Sequence, residues 1–152
     1  RVDMCGLCHS GTQVQTLGSK FAFQPGDSLI SIPQFNTYNG GALDVHGNQM
    51  QQLKASPCFI VGKADCVSCH DIHSDQPRTY TLYSNKCMTC HQSENHPKVD
   101  GHASAVLRQN CVACHMPEQN SSVIGFQKSN SKEKIPYRLR THRIAVYKDL
   151  LK

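Results

Sequence analysis

The sequence predicts a mainly helical fold with much irregular loop and little β-structure, a single domain over residues 1–152. Three observations predict it. Apolar residues make up only 38% of the chain and there is no Trp, which is little for a conventional core at this length. The stretches with apolar periodicity are short, and their period is helical. Eight of the nine cysteines fall into four Cys-x-x-Cys units, each followed at once by His, so one local motif claims much of the chain.

Taken in order, residues 10–41 are rich in Gly, Ser, Thr, Gln and Pro. Turns are signalled at Pro25-Gly26-Asp27 and Asn39-Gly40-Gly41, and the stretch reads as a long irregular loop with at most short strands. Residues 43–55 predict a helix, because Leu43, His46, Met50 and Leu53 fall on one face, and Pro57 closes it. Residues 84–92 suit a short helix with Ser84 as N-cap, and residues 101–110 another behind Asp100, with His102 and Val106 one turn apart. After Pro117 the chain is polar to about Lys134, with 129–134 a solvated loop. Ile135, Tyr137, Leu139, Ile144, Val146, Tyr147, Leu150 and Leu151 then make it apolar, so the C-terminal end is expected to pack back on the domain.

The four motifs are Cys5-Gly6-Leu7-Cys8-His9, Cys66-Val67-Ser68-Cys69-His70, Cys87-Met88-Thr89-Cys90-His91 and Cys111-Val112-Ala113-Cys114-His115. Their spacing suits covalent haem attachment. Two cysteines three apart can each form a thioether to a vinyl group on one porphyrin edge, and the adjacent His then lies under the iron as proximal ligand. A zinc ribbon would pair its Cys-x-x-Cys units and would need no His after each one. Four covalent haem c groups with their iron are therefore expected. The chain has about 38 residues per haem, so the haems are close neighbours and their faces supply most of the apolar interior.

Five histidines remain to supply sixth ligands: His46, His73, His96, His102 and His142. Four irons need four, so the count allows complete bis-His ligation with one to spare. His73 lies three residues after His70, too near to reach over the same haem, and is expected to ligate a neighbour; the same holds for His96 and His102. His46, on its apolar helix face, and His142, among apolar tail residues, are read as ligands. Between His96 and His102 one is expected to be the fourth ligand, and a helix that presents it rigidly favours His102. Methionine ligation would raise the potential. However, Met88 lies inside a motif, Met116 adjoins His115, and Met50 is a core filler. Cys58 is the odd cysteine, a small buried residue or a disulfide partner for another chain.

Haem changes the meaning of the net charge of +5. Eight propionates against about one positive charge per ferric core bring it to about +1 oxidised and about −3 reduced. No basic cluster interleaved with aromatics points to nucleic acid, and no apolar run is long enough to span a bilayer. Thioether attachment takes place outside the cytoplasm, so the chain is expected to be exported, to the periplasm or beyond the cell. Arg1 is read as a processed or truncated start.

The four motifs, the Cys-His-Asp-Ile-His run at 69–73 and the Cys-His-Met-Pro run at 114–117 resemble the multihaem cytochrome c superfamily. That superfamily includes tetrahaem and octahaem cytochromes of nitrogen and metal respiration and subunits of extracellular cytochrome nanowires. His-Gly-Asn-Gln-Met at 46–50 and Arg-Thr-His-Arg-Ile at 140–144 also resemble exported multihaem cytochromes, so the likeness covers nearly the whole chain. It implies a small haem-organised fold with bis-His haems stacked in parallel and perpendicular pairs, and with His73 and His142 crossing between haems. In relatives a further haem-bearing segment often precedes the domain.

Electron transfer is the function these readings favour, with redox proteins as partners or with copies of the chain itself in a head-to-tail filament. The other class is a haem enzyme acting on a small nitrogen or sulfur compound at a five-coordinate iron. Against it, no Cys-x-x-Cys-Lys motif of the nitrite reductase kind is present, and there is a His for every iron.

Overall fold

The structure, a computed structural model, describes residues 2–9, 24–28, 43–75, 77, 79–92, 96 and 104–150. Among these residues the chain forms short helices α1 (Val2–His9), α2 (Gln49–Lys54), α3 (Pro57–Ile60), α4 (Cys66–Cys69), α5 (Tyr80–Met88), α6 (Ser104–Gln109) and α7 (Cys111–His115). A hairpin of β1 (Glu118–Gln127) and β2 (Lys134–Arg140) follows, then a 3-10 turn at Lys148–Leu150. No described helix is long and apolar enough to cross a membrane.

Two helices begin at the first cysteine of a motif because the residue before it is a cap. Asp65 accepts from the Ser68 N–H at 3.0 Å and the Ser68 hydroxyl accepts from the Asp65 N–H at 2.9 Å, a reciprocal capping box that starts α4. Asn110 accepts from the Ala113 N–H at 3.2 Å and starts α7. Thr79 starts α5, accepting from the Leu82 N–H at 3.3 Å. That helix therefore begins earlier than expected. Ser84 is not its cap but a buried mid-helix residue whose hydroxyl accepts from the Cys111 N–H at 3.0 Å, tying α5 to α7.

The helix expected over 43–55 is shorter, because Asp44 accepts from the His46 N–H at 2.8 Å and Gly47 takes φ 74°, so helical backbone starts only at Gln49. The helix expected over 101–110 is described from Ser104; Asp100 and His102 lie outside the described residues. So does the 10–41 loop, apart from 24–28. There Asp27 N–H donates to the Gln24 carbonyl at 3.0 Å, and Gly26 at φ 105° supplies the left-handed corner after Pro25.

The hairpin is a departure from the sequence reading, which expects little β-structure and reads only a polar stretch from Pro117 to about Lys134. Glu118 pairs with Arg140 and Asn120 with Arg138, but the next pair is Gly125 with Pro136. The extra residues on β1 form a bulge that carries Ser121 and Ser122 to Asp44. The two hydroxyls donate to its carboxylate at 2.8 and 2.7 Å, and the Ser122 N–H donates as well. At Gly125 a Cβ would stand 2.9 Å from the Ile135 carbonyl, so the strands approach this closely only around glycine. The expected solvated loop at 129–134 falls on the hairpin connection over 128–133, with Lys134 already in β2. The tail returns through its backbone, with Ile144 N–H donating to the Ser56 hydroxyl at 2.8 Å and Ala145 N–H to the His115 carbonyl at 3.2 Å, while Ile135, Tyr137, Val146 and Leu150 of the expected apolar face stay exposed.

The described interior is small and polar. Its buried apolar side chains are Val45, Met50, Leu53 and Val112, and beside them lie Gln52, Ser56, Ser84, Ser121 and Thr141. Val61, by contrast, is 81% exposed and Ile72 69%. Ordering a residue costs about 1–2 kcal/mol, and a buried apolar side chain contributes only about 1.5–3 kcal/mol.

Asp44 is the brace between the α2 segment and the hairpin. Burial opposes its charge, but donors from His46, Ser122 and Ser121 outweigh that and bring its carboxyl from 3.8 down to about 2. Its stabilising effect is complete above about 3.8 and is lost as the pH falls through about 2. Asp44→Ala is expected to cost about 2–3 kcal/mol in denaturant unfolding at neutral pH. Asp44→Asn is expected to flatten the dependence of stability on pH between 4 and 2, relative to the parent (about one ionisable group's share).

Candidate haem centres

Each motif is set by one turn of backbone. Cys66 and Cys69, and likewise Cys111 and Cys114, stand three apart in α4 and α7 and so share a helix face; Cys5 and Cys8 do the same in α1. Cys87 lies in the last turn of α5, and its carbonyl accepts from the N–H groups of Cys90 and His91 at 3.2 and 3.0 Å. The Cys66 carbonyl accepts from the His70 N–H at 2.9 Å in the same way. Two thiols on one face with an imidazole at the end of the turn is the arrangement that thioether attachment and proximal ligation require.

The motifs also meet one another in chain order. Burial, with the Cys5 thiol hydrogen-bonded alongside, pushes the Cys66 thiol up to about 11. Burial and the neighbouring Cys111 thiol push Cys87 up to about 11 as well. Burial and then Cys58 raise Cys69, and Cys69 and Cys58 also act on Cys87. The first motif thus faces the second, the second approaches the third beside Cys58, and the third faces the fourth. Cys58 is half-buried and forms no disulfide.

The histidines divide into those the structure pairs and those it does not. His70 and His142 have ring centroids 6.3 Å apart with planes at 29°. His96 and His115 have centroids 6.1 Å apart with planes at 79°. Two imidazoles on opposite sides of one metal, each with a metal–nitrogen bond of about 2.0 Å and about 1.1 Å from nitrogen to ring centre, place their centroids about 6.2 Å apart. Rotation about those bonds leaves the interplanar angle free. Of the two candidates for the fourth ligand, His96 has its ring beside that of His115, and His102, which the sequence favours, lies outside the described residues. No described imidazole is in ring contact with His46 or His73, and His73, His9 and His91 are exposed.

The nitrogen atoms of these rings fit iron ligation. His115 Nδ1 lies 2.9 Å from the Ala145 carbonyl, which only accepts, so the proton belongs on Nδ1 and Nε2 keeps its lone pair for a metal. Burial, and then the charge of His70 facing it, push the His142 imidazole below its ordinary range and favour the neutral form that binds metals. The Nδ1 atoms of His46 and His142 are buried without a hydrogen-bond partner. Among the described residues no three His, Cys, Asp or Glu side chains converge on a common metal position. A haem iron needs only two protein ligands, its other four coming from the porphyrin. The Ala145 carbonyl and the Asp44–serine bulge carry no sequence signal, because backbone and tertiary contacts create them.

No family model matches this chain, and neither a curated protein nor a solved structure matches it.

In the haem-loaded protein, His96→Ala is expected to open one iron in four. The ferric EPR spectrum then gains a high-spin signal and the ferrous form binds carbon monoxide at one haem. An entirely low-spin spectrum would return the ligand role to His102.

Proposed function

We propose that the chain is an exported multihaem c-type cytochrome that transfers electrons through four covalent haems, mostly or all bis-His ligated. The observation that carries the reading is the pairing of His70 with His142 and of His96 with His115. Each pair joins a proximal histidine of a Cys-x-x-Cys-His turn to a second imidazole, at the separation one iron spans. When bound, haem supplies reversible one-electron exchange between ferric and ferrous iron.

The chain's own residues then have separable tasks. Cys5, Cys8, Cys66, Cys69, Cys87, Cys90, Cys111 and Cys114 would hold the four groups covalently, and His9, His70, His91 and His115 would ligate from the proximal side. His142 and His96 close two of the irons; His46, His73 and His102 are the remaining pool for the other two. Two imidazoles on an iron leave no face for a substrate, which favours carriage of electrons over chemistry on a small molecule. The chain-order contacts of the motifs would place the haems in a row, and a row is what relays electrons between redox partners. The same row serves a discrete carrier and a head-to-tail filament subunit, which differ in particle mass.

Mass spectrometry of the exported protein is expected to show four haems per chain, and its ferric EPR spectrum to contain low-spin signals alone. Turnover of nitrite or hydroxylamine at a high-spin iron in the intact assembly would overturn the reading in favour of a haem enzyme. Sedimentation reads the mass that separates carrier from filament.

A further inference from the structure

A histidine that ligates a metal is ordinarily oriented through its other ring nitrogen, as His115 is by the Ala145 carbonyl. His142 lacks that device, since its buried Nδ1 has no partner. Its main chain is instead gripped on both sides. The His142 N–H donates to Gln52 Oε1 at 2.6 Å, and the Thr141 hydroxyl donates to the same oxygen at 3.2 Å. The Ser56 hydroxyl is shared between the carbonyls of His142, at 3.2 Å, and Gln52, at 3.0 Å, and accepts from the Ile144 N–H at 2.8 Å. Gln52 is 2% exposed and Ser56 0%, so neither has water as an alternative partner. The other end of the Gln52 amide, Nε2, donates to the Asp44 carbonyl at 3.1 Å, and Asp44 in turn accepts from the His46 N–H. The last turn of α2 and Ser56, the residue before α3, therefore grip the backbone of 141–144 and brace that of His46.

We propose that Gln52 and Ser56 are positioning residues that hold His142 opposite His70 and so keep that iron six-coordinate. The inference rests on the haem reading above. Loss of either side chain frees the His142 backbone, and the imidazole keeps only its contact with the neighbouring Arg140 main chain, on the same freed segment. An isosteric Gln52→Met removes all three amide contacts while conserving volume, and Ser56→Ala deletes a single hydroxyl.

The test compares EPR spectra and carbon monoxide binding of the haem-loaded parent with Gln52→Met, Ser56→Ala, His142→Ala and the Gln52→Met/His142→Ala double variant. Expected is one high-spin haem in four for His142→Ala, a fraction of one for Gln52→Met and a smaller fraction for Ser56→Ala. Added imidazole is expected to return the single variants to low spin. The double variant is expected to show no more high-spin haem than His142→Ala, because both substitutions act on one ligand. If His142→Ala opens an iron while both clamp variants stay low-spin with unchanged carbon monoxide binding, the clamp is overturned. An unchanged His142→Ala removes His142 as a ligand and the clamp's role with it. A parent without four haems sinks the underlying reading instead. If Gln52→Met does not load four haems, Ser56→Ala decides by the same signals.

Discussion

Both ends of the Gln52 side chain are in use, and the rest of the described structure hangs from them. Nε2 holds the Asp44 carbonyl and Oε1 holds the backbone of His142. Asp44 holds the bulge of β1 through Ser121 and Ser122, β1 pairs with β2, and β2 runs directly into Thr141 and back to the glutamine. The path is a closed ring of contacts joining segments almost 90 residues apart in sequence. A single buried hydrogen bond is worth only about 0.5–1.5 kcal/mol net, but leaving its partner unsatisfied costs about 1–3 kcal/mol. Breaking the ring at any point orphans groups on two segments, so its members stand or fall together.

The hairpin depends on this ring more than on its own strands. A two-stranded ribbon is marginal in water, and this one exposes Val123, Phe126 and Ile135. Two features hold it. Glu118 lies 3.5 Å from both Arg138 and Arg140, and the serines of the bulge reach Asp44. Arg140 further spans from the Met116 carbonyl at 3.0 Å to the Tyr80 hydroxyl at 3.0 Å, so the end of α7 and the start of α5 are fixed from the same strand. Exposed ion pairs of this kind contribute little alone; the three donors from Ser121 and Ser122 converging on the half-buried Asp44 carboxylate add the second hold.

What the sequence reveals follows from where each contact comes from. The four motifs are legible because each is a contiguous run of residue types at fixed spacing, and Asp65 and Asn110 mark α4 and α7 by local capping. The helix over 43–55 is overextended in the sequence because its apolar face continues through Leu43 and His46, while the Asp44 side chain captures the His46 N–H and breaks the helix there. Ser84 looks like a cap by residue type, yet its hydroxyl is committed to Cys111, 27 residues away. The start of β1 is illegible because Gln-Asn-Ser-Ser carries no alternation and a carboxylate 77 residues upstream of Ser121 holds it, whereas β2 carries the period of a strand at Ile135, Tyr137 and Leu139. The contact of His96 with His115 is tertiary and leaves no mark in the local sequence.

On the proposed reading, the sparse core and the crowded motifs have one cause. A chain that takes its apolar surface from porphyrin faces needs few large buried side chains, but it must bring axial ligands to those faces from far along the sequence. His142 reaches His70 across 72 residues, a loop whose closure would cost several kcal/mol of chain entropy without prior order. The buried amide and hydroxyl of Gln52 and Ser56 reduce that cost by fixing the tail's backbone beside the site, independently of the imidazole. Ligation then adds a metal bond to a backbone already in place, so folding and cofactor loading favour each other. Polar side chains in this interior therefore take on what a larger protein would leave to packing: they specify where the ligand stands.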